Sequence, residues 1–324
     1  MAVDIDVAGF EQLVDPGAQL TCVGSGYQFT EGPVWSPRNR SLYFSDIPSD
    51  ARWRWSERDG MALDCSPTFK ANGLALDAGG GLLSCEQVSS CVVRYTADGR
   101  RELLAFHHRG KYLNSPNDIV VRRRDGAIYF TDPDYGRWND WIGQERNRDL
   151  DFRGLYRIAS EPGPGGDAEL LVAQDEFDQP NGLCFSPDET ILYVNDSPRA
   201  QIKAFAVADD GTLSGGRVLI DQIGHGFHEG DSEERKRAQH QEHHDQGSVD
   251  GMKCDELGNV WVTGPGGVWV ISPAGERLGV IRAPEVVGNL TWGGDDLRTL
   301  FLMTTRTVHA LRTRVGPAPL IQHG

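Results

Sequence analysis

Six polar residues recur in one local setting, each opening a short apolar strand: Glu31, Asn72, Asn117, Asn181, Asp250 and Asn289. They lie 41, 45, 64, 69 and 39 residues apart. Carboxylates and amide carbonyls converging in a narrow space repel one another or stay unsatisfied unless a counter-charge joins them. A divalent cation resolves that conflict, with two negative charges from Glu31 and Asp250 and neutral oxygens from Asn117 and Asn181. An all-oxygen set suits a hard ion, Ca2+ foremost with Mg2+ or Mn2+ as alternatives, and carboxylates also hold Zn2+. Four protein ligands leave positions for water and substrate, as catalysis requires. Each residue taken singly is equally well read as a strand-start cap making Asx-type hydrogen bonds. Six equivalent settings favour the shared site.

The elements that must position these residues are hairpins. EGPVWSPRNRSLYFSD, NGLALDAGGGLLSCE, PNDIVVRRRDGAIYFTDP, PNGLCFSPDETILYVNDS, DGMKCDELGNVWVTGP and NLTWGGDDLRTLFLMTT each pair two alternating apolar strands around a Gly, Asn, Asp or Pro turn. No convincing 3.6-residue periodicity lies between them, so the chain is all-β. Propeller blades take about 40–50 residues. Three intervals fit that repeat and two carry insertions of about 20 residues. The 324 residues by length alone suggest about two domains, but the repeat predicts one six-bladed β-propeller over 1–324, with a metal site in its central channel. The termini then supply outer strands that close the ring. A pair of β-sandwiches is the alternative, yet it leaves the equivalent polar starts unexplained.

In such a ring the first strand of each blade lines the channel, so all six anchors begin at one rim. The ends of the second strands return there, placing Asp46, Glu86, Asp132, Asp196 and Thr263 in an outer polar ring. Two insertions, about 133–152 and 222–247, open on the same rim. The first carries Trp138 and Trp141, which either stack on a ligand or pack the loop. The second holds His225, His228, His240, His243 and His244. It is polar throughout, so it reads as a solvated flap or lid ahead of a second metal site.

The segments EGPVWSP, NSPNDIVVRRRDGAIYFTDPDYG, QPNGLCFSPDETILYVNDS and DGMKCDELGNVWVTGPGGVWVISPAGE resemble the gluconolactonase family, a branch of the senescence-marker-protein/regucalcin superfamily. The resemblance runs from about residue 15 to 315 with its motifs in order. It implies a six-bladed propeller with one catalytic divalent metal held by Glu31, Asn117, Asn181 and Asp250. It also implies hydrolysis of a sugar lactone of the glucono-1,5-lactone type. Two positions depart from the family pattern: Val249 stands where proline is usual, and Ser115 where some sugar lactonases carry arginine. The second departure bears on the identity of the sugar.

On this reading the metal polarises the lactone carbonyl and Asp250 is the general base. Asn117 contacts both metal and substrate, Asn72 and Asn289 complete the rim, and Asp132 and Tyr135 sit where sugar hydroxyls bind. Asp132 is equally a turn cap. The alternatives are a metal-dependent esterase or phosphotriesterase on the same site, or a non-enzymatic calcium-binding propeller. Other catalytic engines lack their motifs: there is no G-x-S-x-G, no G-x-G-x-x-G between strand and helix, and no H-E-x-x-H.

The formal charge of −15 argues against a nucleic-acid partner, which needs a basic face. The 39 glycines are in excess of ordinary usage, as many tight turns require. Six scattered cysteines read as reduced thiols, with a Cys85–Cys91 bridge only weakly suggested. No apolar run reaches membrane-spanning length, and the N-terminal residues lack a secretory pattern. The expectation is a cytoplasmic protein, monomer or homodimer, acting on a small-molecule lactone with no membrane or nucleic-acid partner.

Overall fold

The computed structural model describes residues 3–159, 165–224 and 246–319. Six antiparallel sheets of four or five strands follow one another along the chain; the first four run in sequence order from the centre outward, and the last two take their outermost strand from the N-terminal segment. Blade one comprises Thr30–Ser36, Ser41–Asp46, Ala51–Ser56 and Gly60–Cys65. The innermost strands of the next five blades are Ala71–Leu76, Ile119–Val121, Pro180–Phe185, Met252–Cys254 and Val287–Gly293. Each inner strand touches the next, and the sixth touches the first, so the sheets close into a ring. The protein is an all-β six-bladed propeller.

The turn chemistry explains the hairpins. In the second blade Asp77 accepts hydrogen bonds from Gly79 and Gly81 backbone N–H groups at 2.9 and 2.8 Å. Gly80 between them adopts φ +79°, a left-handed conformation that costs glycine least. Inner strands are covered on both faces by neighbouring blades, and Pro180–Phe185 is buried along its whole length. The outer strand Gly60–Cys65 is exposed or half-buried throughout.

Closure comes from the N-terminal segment alone. Thr21–Ser25 pairs antiparallel with Thr307–Arg312 as the outer strand of blade six. Val3–Ile5 adds a fifth strand to blade five. Between these two blades Trp261 and Trp292 pack edge to face, ring centroids 5.0 Å apart. All six cysteines are free. Cys91 lies opposite Glu86, and Cys85 opposite Val92, so the two thiols face opposite sides of their sheet and cannot bridge. Among the described residues no helix is long and apolar enough to cross a membrane.

Candidate active site

A cavity of about 230 Å3 opens where the inner strands begin, and Glu31, Asn72, Asn117, Asn181 and Asp250 all line it. Five of the six anchors thus share one wall. The sixth does not. Inter-blade hydrogen bonds join Gly73 N–H to Asn117 O and Gly251 N–H to Gly288 O, both at 2.8 Å. Gly288 therefore holds in blade six the place that Asn117 holds in blade three. Asn289 is one residue further on, and strand alternation turns its side chain away from the cavity. Its expected place on the rim is corrected accordingly: its Nδ2 donates to Glu31 Oε2 at 2.9 Å from behind. A Cβ on Gly288 would lie 2.5 Å from Glu31 Oε1, so this glycine makes room for the carboxylate.

Each acceptor is aimed by its neighbours. Glu31 is 1% exposed; its Oε2 also accepts the Gly32 N–H at 2.8 Å, while Oε1 has no partner among the described residues. Asn181 Nδ2 donates to Ser197 Oγ at 3.0 Å, and Ser197 in turn donates to Val249 O at 2.6 Å. That chain fixes the amide so that its Oδ1, also unpartnered, is the free atom. Asp250 is anchored through its backbone: its N–H reaches Thr263 Oγ1 at 3.0 Å and its carbonyl accepts Asn195 Nδ2 at 2.5 Å.

The electrostatics of this wall follow from burial. Desolvation raises the Glu31 carboxyl above its usual range, opposed by its hydrogen bonds to Asn289 and Gly32. Desolvation raises Asp250 well above its usual range, and the Glu31 and Asp118 charges push it further. The Asn181 amide opposes the shift at Asp250, yet Glu31 Oε1 and Asn181 Oδ1 stay unpartnered among the described residues beside two mutually repelling carboxyls. The set is an all-oxygen cluster of the kind a hard divalent cation satisfies. Among the described residues no three His, Cys, Asp or Glu side chains form a metal-holding group, so any such site depends on the amides of Asn117 and Asn181 as well.

The outer ring proves to be structural, and Asp132 is corrected with it. Asp132 is fully buried, lies off the cavity wall, and accepts the Asn114 N–H through Oδ2 at 2.8 Å. Asp46 does the same for Phe29 N–H at 3.1 Å, and Asp196 for Asp178 N–H at 2.7 Å. These acids cap the chain as it enters each inner strand. Glu86 is tied instead to Arg101, whose NH2 lies 2.6 Å from Oε2. The residue before each cap holds the backbone of a following anchor: Ser45 Oγ donates to Asn72 O at 2.8 Å and Thr131 Oγ1 to Asn181 O at 2.7 Å.

The residues directly after Asp46, Glu86 and Asp196, namely Ile47, Gln87 and Ser197, line the cavity, whereas Pro133 after Asp132 does not. On these three second strands the wall residue stands one place after the acid, and the repeated acid was the signal that could have led to it. Tyr135 lies on the wall as expected, with Trp138 and Ile142 beside it. Tyr135 and Trp138 meet edge to face at 4.9 Å, and Trp138 Nε1 donates to Asp134 Oδ1 at 2.9 Å. Trp141 is off the wall and packs near Phe29, centroids 5.7 Å apart. Ser115 Oγ donates to Pro133 O at 2.7 Å and accepts the Gly136 N–H at 3.1 Å. The five histidines from His225 to His244 lie outside the described residues. A second cavity, about 180 Å3, sits at the other ends of the inner strands among apolar residues such as Val34, Leu74 and Ile119, and holds none of the anchors.

The sequence matches the family model described as SMP-30/Gluconolactonase/LRE-like region over residues 29–306. It is 28% identical over 324 residues to a gluconolactonase of Zymomonas mobilis, covering 94% of this chain and 84% of that protein. It is 27% identical over 281 residues to a 6-deoxy-6-sulfogluconolactonase of Pseudomonas putida, covering 85% of this chain and 83% of that one. Among solved structures, a gluconolactonase from Xanthomonas campestris superposes with a TM-score of 0.81 at 30% identity, covering 97% of this chain and 95% of that one. The propeller, its ring of acceptors and these likenesses together place the chain in the SMP-30/gluconolactonase/LRE-like family.

Proposed function

We propose that this protein hydrolyses a sugar lactone of the glucono-1,5-lactone type to its aldonic acid, with a divalent cation, Ca2+ foremost, held by Glu31, Asn117, Asn181 and Asp250. The observation that carries the reading is the convergence on one cavity wall of the Glu31 and Asp250 carboxyls with the Asn117 and Asn181 amides, Glu31 Oε1 and Asn181 Oδ1 being left unpartnered among the described residues. The names of the relatives supply the substrate class.

When bound, the cation supplies a Lewis acid that polarises the lactone carbonyl and offsets charge developing on its oxygen. Glu31 and Asn181 are held by Asn289 and Ser197, so their free oxygens are already aimed before any ligand arrives. Asp250 takes the proton of a water adding to the carbonyl carbon. It returns a proton to the ring oxygen as the C–O bond breaks, leaving carboxylic acid and alcohol on one open chain. Asn72 and Asn117 contact the lactone from the ring, and Tyr135 and Trp138 confine it from the aromatic side.

An acid-release assay on a panel of aldonolactones, aliphatic esters and phosphotriesters, before and after chelation, tests this reading. Lactone opening that disappears with chelator and returns with added metal is the expected result. Asp250→Asn is expected to lower kcat at least 100-fold, a typical scale for loss of a general base. Turnover of esters or phosphotriesters alone, or chelator-resistant lactone opening, overturns it.

A further inference from the structure

Gln87 lines the cavity and carries a buried acceptor that the metal ring does not use. Its side chain has no solvent exposure, yet it lines the cavity from the end of the second strand of blade two. The amide cannot turn freely. Its Nε2 donates to Ile142 O at 2.9 Å, its backbone N–H reaches Lys70 O at 3.4 Å, and its carbonyl accepts Arg146 NH2 at 2.8 Å. Gly136 leaves space for the amide, since a Cβ there would lie 3.1 Å from Gln87 Oε1. Held this way, Oε1 is left without a partner among the described residues.

A buried acceptor fixed beside a binding cavity is expensive to leave unmade and needs an N–H or O–H donor. The reacting end of a lactone offers none, because its carbonyl and ring oxygens are acceptors only. A hydroxyl elsewhere on the substrate is a donor. We infer that Gln87 is a specificity-determining residue whose Oε1 accepts a hydrogen bond from a hydroxyl of the substrate, so that the site favours polyhydroxylated lactones over bare aliphatic ones. This rests on the lactonase reading and names the contact that selects the substrate. Sites built to pair with a substrate hydroxyl reject analogues lacking it far more strongly than apolar pockets reject an extra one.

The test compares glucono-1,5-lactone with δ-valerolactone, six-membered lactones that differ in their hydroxylated substituents. In Gln87→Met, kcat/KM for the hydroxylated lactone is expected to fall about 10- to 100-fold, the scale of one lost hydrogen bond to a buried group. The value for δ-valerolactone should change less than about threefold on the same reasoning. Gln87→Glu, whose carboxyl still accepts from a hydroxyl, should recover most of the preference. Calorimetric titration of gluconate reads the same contact without turnover and should show about tenfold weaker binding to Gln87→Met. Equal losses on both lactones, or unchanged selectivity and gluconate binding, overturn the inference while leaving the lactonase reading intact. A wild-type protein that binds gluconate but opens no lactone overturns the lactonase reading alone; one that does neither overturns both.

Discussion

Asn289 Nδ2 donates to Glu31 Oε2 at 2.9 Å, joining the sixth blade to the first across the seam where the ring closes. Asn289 is itself held, because its Oδ1 accepts the Leu290 N–H at 2.8 Å and faces Lys253 Nζ at 3.4 Å. Gly251 lies under this side chain, since a Cβ there would overlap Asn289 at 2.0 Å. The carboxylate is thus oriented from behind, leaving Oε1 to the cavity. Such supporting contacts typically contribute about 10- to 100-fold in metal affinity. Asn289→Ala is expected to weaken divalent-cation binding by about that factor, measured by calorimetry, with the fold intact by circular dichroism. Unchanged affinity would show that Glu31 does not need this support.

Gly288 tests the clearance on the other side of the same carboxylate. A methyl group at 2.5 Å from Glu31 Oε1 is well inside contact distance, so Gly288→Ala must displace the carboxylate or the strand. Overpacking of this kind costs about 1–3 kcal/mol. A fall in both melting temperature and cation affinity is expected. A variant with wild-type values for both would mean that the strand gives way freely.

Cation removal should destabilise the fold as well as stop turnover. A ligand at 100 times its Kd stabilises the native state by about 2.7 kcal/mol. Scanning calorimetry with and without EDTA should therefore show a lower Tm in chelator, and Glu31→Gln/Asp250→Asn should abolish that difference. Identical Tm values for the wild type in metal and in chelator would count against a site in the ring.

Asp132 gives a pH dependence of known sign. Burial raises its carboxyl from 3.8 to about 7, opposed by the Asn114 backbone hydrogen bond and the Arg137 charge. Between those values the folded chain holds a proton that the unfolded chain has released. The contribution of this group to stability is full below about pH 3.8 and is lost as pH rises to about 7. Asp132→Asn keeps an acceptor for Asn114 and cannot ionise. Its stability relative to wild type should rise by roughly 2–4 kcal/mol between pH 4 and pH 8, measured by denaturant unfolding. A difference that stays constant across that range contradicts the assignment.

The legible part of this protein was its repeat. Turn residues such as Asp77 and Gly80 act over a few neighbours, and the apolar alternation of each hairpin states which residues enter a core. Blade count and the common rim for Glu31, Asn72, Asn117, Asn181 and Asp250 follow from that local information. Asn289 shows where it fails. Gly288 stands where blade three carries Asn117, each carbonyl accepting the inter-blade N–H of the preceding blade, so Asn289 is one residue out of phase and strand alternation turns it from the channel. Counting polar starts cannot register that reversal, whereas the Gly251–Gly288 hydrogen bond between neighbouring blades does.

Asp132 and Gln87 carry the same lesson on the second strands. In blades one and four the acid caps the entering loop while its successor, Ile47 or Ser197, faces the cavity; in blade two Glu86 pairs with Arg101 and Gln87 lines the wall. By itself the sequence determined the ring, its six units and the class of atoms at its rim, because these depend on local turns and a two-residue period. Only the tertiary structure decided which of those atoms are already satisfied. The partners that matter, Asn289 for Glu31, Ser197 for Asn181 and Ile142 for Gln87, come from distant parts of the chain and meet only when the blades pack together.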